Sequence, residues 1–83
     1  MRVLIVEETP AEAELYADLI AQHGHDPVVA ASAEAALDSL AVNRPDAVLL
    51  DLFLPGMSGV EFLRVLSERR LPVPVVAISG VAS

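Results

Sequence analysis

The sequence of residues 47–59 is AVLLDLFLPGMSG, which contains the signals of three consecutive structural elements. Its first four residues form an uninterrupted aliphatic run, which is typical of a strand buried on both faces of a parallel sheet. Asp51 follows the run directly, and a loop that contains Pro-Gly comes next. Ser58 and Glu61 have the spacing of a capping box, which marks the start of a helix. The stretch therefore predicts a strand, a loop and a helix, in that order.

The same alternation extends along the chain in both directions. Thr9, Pro10 and Glu12 are typical of a helix start, with Thr9 as N-cap and Glu12 closing a capping box, and Ser32 is expected to cap another helix. Further apolar runs indicate strands at residues 3–6, 27–31 and 75–78. The resulting order, β-α-β-α-β-α-β, predicts an α/β open parallel sheet with right-handed crossovers and helices on both faces.

The composition is that of one acidic globular domain, which we assign to residues 1–83. The chain has 12 acidic and 5 basic residues, a formal net charge of −7 and a sequence pI of about 4.4. A domain without a basic cluster is not expected to bind nucleic acid or an anionic membrane surface. The lack of cysteine excludes disulfide frameworks, thiolate metal sites and catalytic thiols. No apolar run is long enough for a bilayer span or a secretory signal, so we expect a cytoplasmic location.

Oxygen-bearing side chains follow three of the four predicted strands. Glu7 and Glu8 follow the first strand, and Asp51 follows the third. Ser79 follows the fourth strand, with Gly80 next to it. Ligands of open parallel sheets bind at the carboxyl ends of the strands. A single acidic residue there can equally serve as the negative charge at a helix N-terminus. Convergence of all three carboxylates favours a site for Mg²⁺, which prefers oxygen ligands.

Three segments, residues 3–10, 48–59 and 77–80, together resemble the receiver domain of response regulators. The Asp-x-x-x-Pro-Gly-x-x-Gly pattern in the second segment is fairly specific to that family. The resemblance implies a flavodoxin-like sheet with strand order 2-1-3-4. It covers the whole chain but only part of the family's domain, which normally continues through a fourth helix, a fifth strand and a fifth helix. We therefore expect a truncated receiver that lacks this last helix-strand-helix unit.

The resemblance also implies roles for individual residues. Asp51 would be the phosphoacceptor, Glu8 the direct Mg²⁺ ligand and Glu7 the outer-shell acid. The backbone carbonyl of Phe53 would complete the protein ligands of the metal. The phosphodonor would be a sensor histidine kinase or a phosphotransfer protein. The chain is then a signalling module of a two-component phosphorelay rather than an enzyme.

The phosphoryl group itself would be contacted by two residues after the fourth strand. Ser79 would hydrogen-bond the phosphoryl oxygens, and Gly80 would leave room for them. The chain departs from the family in having Glu8 where the family has aspartate, and in having no lysine to match the family's lysine after its fifth strand. Two functions are therefore considered: a phosphorylatable receiver, and a degenerate receiver that acts as a phosphorylation-independent interaction or dimerisation module.

The fourth predicted strand would lie at an edge of the sheet in the implied strand order. This strand carries no charge, whereas proteins commonly protect sheet edges with lysine, bulges or short strands. A second copy of the chain would satisfy the exposed backbone and bury apolar surface. We therefore expect a two-fold homodimer, by edge pairing or strand exchange, through Val75, Val76, Ala77 and Ile78.

Overall fold

The computed structural model of the protein describes residues 1–78. Strands and helices alternate along these residues, as the sequence predicts. The strands are β1 (Arg2–Val6), β2 (Asp26–Ala30), β3 (Ala47–Asp51) and β4 (Val75–Ile78). The helices are α1 (Pro10–Gln22), α2 (Ala33–Val42) and α3 (Gly59–Glu68). Within residues 1–78, no helix combines the length and apolar character needed to cross a bilayer.

The four strands form one parallel sheet in the order β2-β1-β3-β4. Val6, the last residue of β1, is in register with Ala30 of β2 and with Leu50 of β3. The last residues of β3 and β4, Asp51 and Ile78, are also in register. The carboxyl ends of all four strands therefore meet at one edge of the sheet. The predicted α/β class and strand order are confirmed.

The main core lies between one face of the sheet and the helices α2 and α3. Successive strand residues point to opposite faces, so Leu4 and Val6 of β1 share this face with Val48 and Leu50 of β3. Phe62 of α3 packs into the same cluster and is fully buried. Burying a side chain of this size contributes about 1.5–3 kcal/mol relative to leaving it exposed. This packing holds the start of α3 against the carboxyl end of β3.

Helix α1 contacts β1 and β2 rather than the core beneath α2 and α3. The buried residue of α1 is Ala13. Because the alanine side chain is small, the helix can lie close to the sheet at this point. The four-residue spacing of Leu15 and Leu19 predicts an apolar helix face. The structure leaves these leucines 55% and 46% exposed, so the face is only partly covered within residues 1–78.

Two of the three predicted helix caps form as expected. The hydroxyls of Ser32 and Ser58 each accept a hydrogen bond from the backbone N–H three residues later, at 3.0 and 3.1 Å. Thr9 occupies the N-cap position of α1, but its side chain makes no capping bond, so that part of the prediction is wrong. Its backbone N–H instead donates to the carboxylate of Glu7 at 3.0 Å. The turn after β1 is therefore organised around Glu7.

Gly59, the last glycine of the sequence pattern, lies where α3 passes very close to the end of β3. A Cβ atom at this position would lie 2.6 Å from the Cα of Leu52 and 2.8 Å from the carbonyl oxygen of Asp51. Both are backbone atoms, so relief requires a shift of the chain rather than a side-chain rotation. The Gly59 N–H also donates to the Leu52 carbonyl at 3.2 Å. Glycine is thus a steric requirement of the contact between α3 and the strand that carries Asp51.

We predict that Gly59→Ala lowers the free energy of unfolding by about 3 kcal/mol, the upper end of the usual cost of overpacking. The matched control is Gly24→Ala, where an added Cβ meets no atom within 4 Å but the backbone φ is +81°. That variant loses only the roughly 1–2 kcal/mol that a left-handed conformation costs a residue with a side chain. Urea unfolding curves measure both changes. Equal losses in the two variants would contradict the proposed steric contact.

Candidate functional site

Glu7 and Asp51 lie side by side at the carboxyl edge of the sheet. Glu7 comes directly after β1, and Asp51 is the last residue of β3, the neighbouring strand. Since Val6 is in register with Leu50, the next step along both strands brings Glu7 opposite Asp51. Glu7 is 2% exposed and Asp51 is 8% exposed. The fold therefore removes two neighbouring carboxyl groups from most of the surrounding water.

Backbone groups hold these carboxylates but leave them incompletely satisfied. Glu7 Oε1 accepts the Thr9 N–H at 3.0 Å, whereas the buried Glu7 Oε2 has no hydrogen-bond partner within the described part of the chain. Asp51 Oδ1 accepts the N–H of Phe53 at 2.9 Å. The N–H of Glu7 donates to the Ala30 carbonyl at 3.0 Å, which fixes the backbone at this point. The site thus presents a buried carboxyl oxygen, Glu7 Oε2, that accepts no hydrogen bond from the described residues.

Burial raises the pKa of the Glu7 carboxyl above its ordinary value of 4.5. The Thr9 N–H opposes this effect, because a donor favours the ionised form. Asp51 raises the pKa of Glu7 further, because its carboxyl group lies beside that of Glu7 and carries negative charge, and the charge of Glu12 adds to the same effect. Burial and the neighbouring negative charges therefore outweigh the Thr9 hydrogen bond, and the net shift of the Glu7 pKa is upward.

The remaining predicted site residues have different surroundings. Glu8 is exposed, so the structure brings together Glu7 and Asp51 and leaves Glu8 at the rim. Phe53 follows Asp51 by two residues, with its backbone against the Asp51 carboxylate and its side chain exposed. Ser79 and Gly80 lie outside the described residues.

The neighbouring carboxyl groups of Glu7 and Asp51 suit a hard divalent cation, which prefers oxygen ligands. The unpartnered Glu7 Oε2 is buried next to a second carboxyl group, and a cation there would offset both the missing hydrogen bond and the carboxylate repulsion. Within residues 1–78, no three His, Cys, Asp or Glu side chains are grouped as a complete metal site. Mg²⁺ commonly binds through one or two carboxylates and keeps several water ligands, so two carboxylates are sufficient.

Tyr16 of α1 is a neighbour of the site that the sequence analysis does not single out. Burial raises the pKa of the Tyr16 hydroxyl, and the negative charges of Glu12, Glu7 and Asp51 raise it further. The negative charges of Glu7 and Asp51 therefore disfavour ionisation of the Tyr16 hydroxyl. Its only sequence signal is helical spacing from Glu12, which does not distinguish a site residue from a packing residue.

We predict that Glu7→Gln flattens the dependence of stability on pH. Because the folded pKa of Glu7 is raised, its stabilising contribution is complete below the unfolded value of 4.5 and is lost as pH rises through the folded value. The free energy of unfolding of the variant, measured relative to the wild type without Mg²⁺, should therefore increase as pH rises. Urea unfolding between about pH 4 and pH 8 covers the ordinary carboxyl range and neutrality.

The matched control is Glu8→Gln, the same substitution at the adjacent, exposed position. The pH-dependent gain is expected in Glu7→Gln alone. A gain that is the same at every pH, or that appears equally in both variants, would contradict the burial of an ionisable carboxyl at Glu7.

Comparison with known proteins identifies the family. A family model described as the response regulator receiver domain matches residues 3–83. The chain is 38% identical over 79 residues to the DNA-binding response regulator MtrA of Mycolicibacterium smegmatis. It is 34% identical over 81 residues to the phosphate regulon transcriptional regulatory protein PhoB of Klebsiella pneumoniae. Both alignments cover 95% of this chain but only 34% and 35% of the relatives, so the chain spans about a third of their length.

The fold is also found among solved structures. The MaeR response regulator bound to beryllium trifluoride aligns with a TM-score of 0.90 and 26% sequence identity. That alignment covers 100% of this chain and 70% of the MaeR chain. The family match over almost the whole sequence agrees with the parallel sheet and with the acidic edge that it builds. The chain belongs to the family of response regulator receiver domains.

Proposed function

We propose that this chain accepts a phosphoryl group on Asp51, in a Mg²⁺-dependent step of a two-component phosphorelay. The donor would be the phosphohistidine of a sensor histidine kinase or of a phosphotransfer protein in the cytoplasm. The observation that carries the proposal is the nearly buried Asp51 carboxylate at a strand end, next to a second carboxyl group with an unpartnered oxygen. The acidity of the chain argues against nucleic acid or a membrane as a partner of this domain.

The local geometry supports Asp51 as the nucleophile. The Phe53 N–H holds Oδ1 of the carboxylate at 2.9 Å, which orients the group. The other carboxylate oxygen would attack phosphorus, forming a P–O bond while the P–N bond of the donor breaks. Orientation of this kind is a large part of catalysis in phosphoryl transfer, because the protein has little other covalent chemistry to perform.

The metal would be held by the carboxylates of Glu7, Glu8 and Asp51 together with the backbone carbonyl of Phe53. When bound, Mg²⁺ would neutralise the negative charge on the transferring phosphoryl group. Glu8 is exposed next to the buried Glu7 in the sequence, and its role as a ligand is carried over from the family resemblance. We keep the resemblance-based assignment of Ser79 and Gly80 as the phosphoryl-contacting residues.

Transfer to Asp51 would concentrate negative charge at a site that already holds two carboxyl groups. Stabilisation of such charge is usually the largest contribution to catalysis. We therefore expect phosphorylation to depend on Mg²⁺, which would supply the positive charge.

Incubation with acetyl phosphate and Mg²⁺ tests this function. We predict that intact-mass measurement shows one added phosphoryl group on the wild type, and that chelation of Mg²⁺ abolishes the addition. Asp51→Asn should remain unmodified because an amide cannot serve as the nucleophile. The matched control, Asp38→Asn, changes an exposed aspartate of α2 and should be modified like the wild type. Modification of Asp51→Asn to the wild-type extent would contradict the assignment of the acceptor.

A second function, self-association through the edge of β4, is favoured by the hydrogen-bond pattern of the sheet. The N–H groups of Val48 and Leu52 donate to the carbonyls of Pro74 and Ile78, at 2.9 and 3.0 Å. In a parallel ladder the peptide groups alternate in direction, so the N–H and C=O groups of Val75 and Ala77 point away from β3. These groups form an edge that no strand within residues 1–78 pairs with.

The opposite edge of the sheet is better protected. The Asp26 N–H donates to the Met1 carbonyl, and the Ala30 carbonyl accepts a hydrogen bond from the Glu7 N–H, so the backbone groups of Asp26 and Ala30 point towards β1. The backbone groups of the alternate residues, Pro27 and Val29, therefore point away from the sheet. Proline has no N–H to offer there, whereas β4 keeps both of its outward donors. Val76 of β4 is also 61% exposed. We therefore propose a two-fold homodimer that pairs β4 with β4 of a second copy, or exchanges it.

We predict that light scattering at micromolar concentration finds a dimer of the wild type. Ala77→Pro should produce a monomer, because it removes an outward donor without breaking a bond to β3. Val76→Lys, which places a charge on the exposed side of the same strand, should have the same effect.

The matched control is Val29→Pro, which removes an outward donor from the β2 edge and should leave the dimer intact. A wild type that stays monomeric, or a dimer that survives both substitutions in β4, would contradict pairing through this edge.

A further inference from the structure

The two phenylalanines of the chain have opposite environments. Phe62 is fully buried in the core, whereas Phe53 is 65% exposed. Leu54, the next residue, is 7% exposed, so the loop after β3 buries one apolar side chain and turns the larger aromatic ring outwards. Packing therefore does not explain the aromatic side chain at position 53.

The exposed ring belongs to the residue that touches the acceptor. The Phe53 N–H donates to Asp51 Oδ1 at 2.9 Å, so the ring is attached to backbone in direct contact with the carboxylate. Asp51 itself is 8% exposed. A donor that delivers phosphorus to Asp51 has to approach from solvent, and the leaving group then lies on the solvent side of the carboxylate. The Phe53 ring is exposed to the same solvent, two residues along the chain from Asp51.

We infer that the Phe53 ring is a docking surface for the imidazole ring of the phosphodonor, and that it selects phosphoimidazole donors over acyl phosphates. The inference rests on the proposed function of Asp51 as phosphoacceptor. Phosphoimidazole protonated on its second nitrogen is a flat ring with cationic character, which suits the negative face of a phenyl ring. The acetate group of acetyl phosphate is small, anionic and not aromatic, so it gains nothing from such a surface.

Transfer from phosphoimidazole to Asp51 forms one bond and breaks one bond. An Asp51 oxygen forms a bond to phosphorus, and the P–N bond breaks with its electron pair going to nitrogen. Because the ring is already protonated on its other nitrogen, it leaves as neutral imidazole. Phe53 takes no part in bond making or breaking. It is a specificity residue that positions the ring of the leaving group.

The test compares two donors on the full 83-residue chain at the same Mg²⁺ concentration. Initial rates of Asp51 phosphorylation are measured by intact mass, once with phosphoimidazole and once with acetyl phosphate. For Phe53→Leu we expect the ratio of the two rates, phosphoimidazole over acetyl phosphate, to fall about 3- to 10-fold, the value of one aromatic contact. Phe53→Tyr keeps an aromatic ring and should retain the wild-type ratio.

The ratio separates selection of the donor from a general effect on the site. An equal fall with both donors in Phe53→Leu, or a ratio that does not change, overturns the inference while leaving Asp51 as the acceptor. If the ratio falls in Phe53→Tyr by as much as in Phe53→Leu, the role of the aromatic face is overturned. A wild type that takes phosphate from neither donor rejects the proposed function, and with it the selection of a donor.

Discussion

The fold places two carboxyl groups side by side and away from water, and the chemistry of this site follows from that arrangement. The parallel register of β1 and β3 leaves no alternative place for Glu7 and Asp51, and one oxygen of Glu7 has no partner among the described residues. An unsatisfied buried polar atom costs about 1–3 kcal/mol, a large fraction of the stability of a small domain. A proton or a cation at that oxygen would relieve the cost.

Most of the fold is readable from the sequence because two separate signals agree. Continuous aliphatic runs predict buried parallel strands, and serine caps such as Ser32 and Ser58 mark where helices begin. The exposure of Leu15 and Leu19 is not readable in this way. Helical spacing shows which residues share a face, but the line of contact with the sheet depends on tertiary packing, and in α1 that line runs through Ala13.

The site is predictable only in part, for a related reason. Asp51 follows from its position at the end of a buried strand, and the family resemblance agrees with it. The sequence does not show which of the adjacent acids Glu7 and Glu8 turns inwards, because neighbouring residues of an extended chain point to opposite sides. The structure buries Glu7 and exposes Glu8. The clash that excludes a side chain at Gly59 is equally invisible, since it arises between residues brought together by folding.

Glu7 and Asp51 form a buried pair of carboxyl groups, and the titration of Glu7 reports on both partners. The most direct measurement is a titration of the Glu7 side-chain carboxyl by ¹³C NMR in the Mg²⁺-free protein, repeated in Asp51→Asn. We expect the pKa of Glu7 to lie above 4.5 and to fall partway in the variant, because burial is the larger cause of the shift and Asp51 the smaller. A Glu7 that titrates at or below 4.5 in the wild type, with no response to Asp51→Asn, would contradict it.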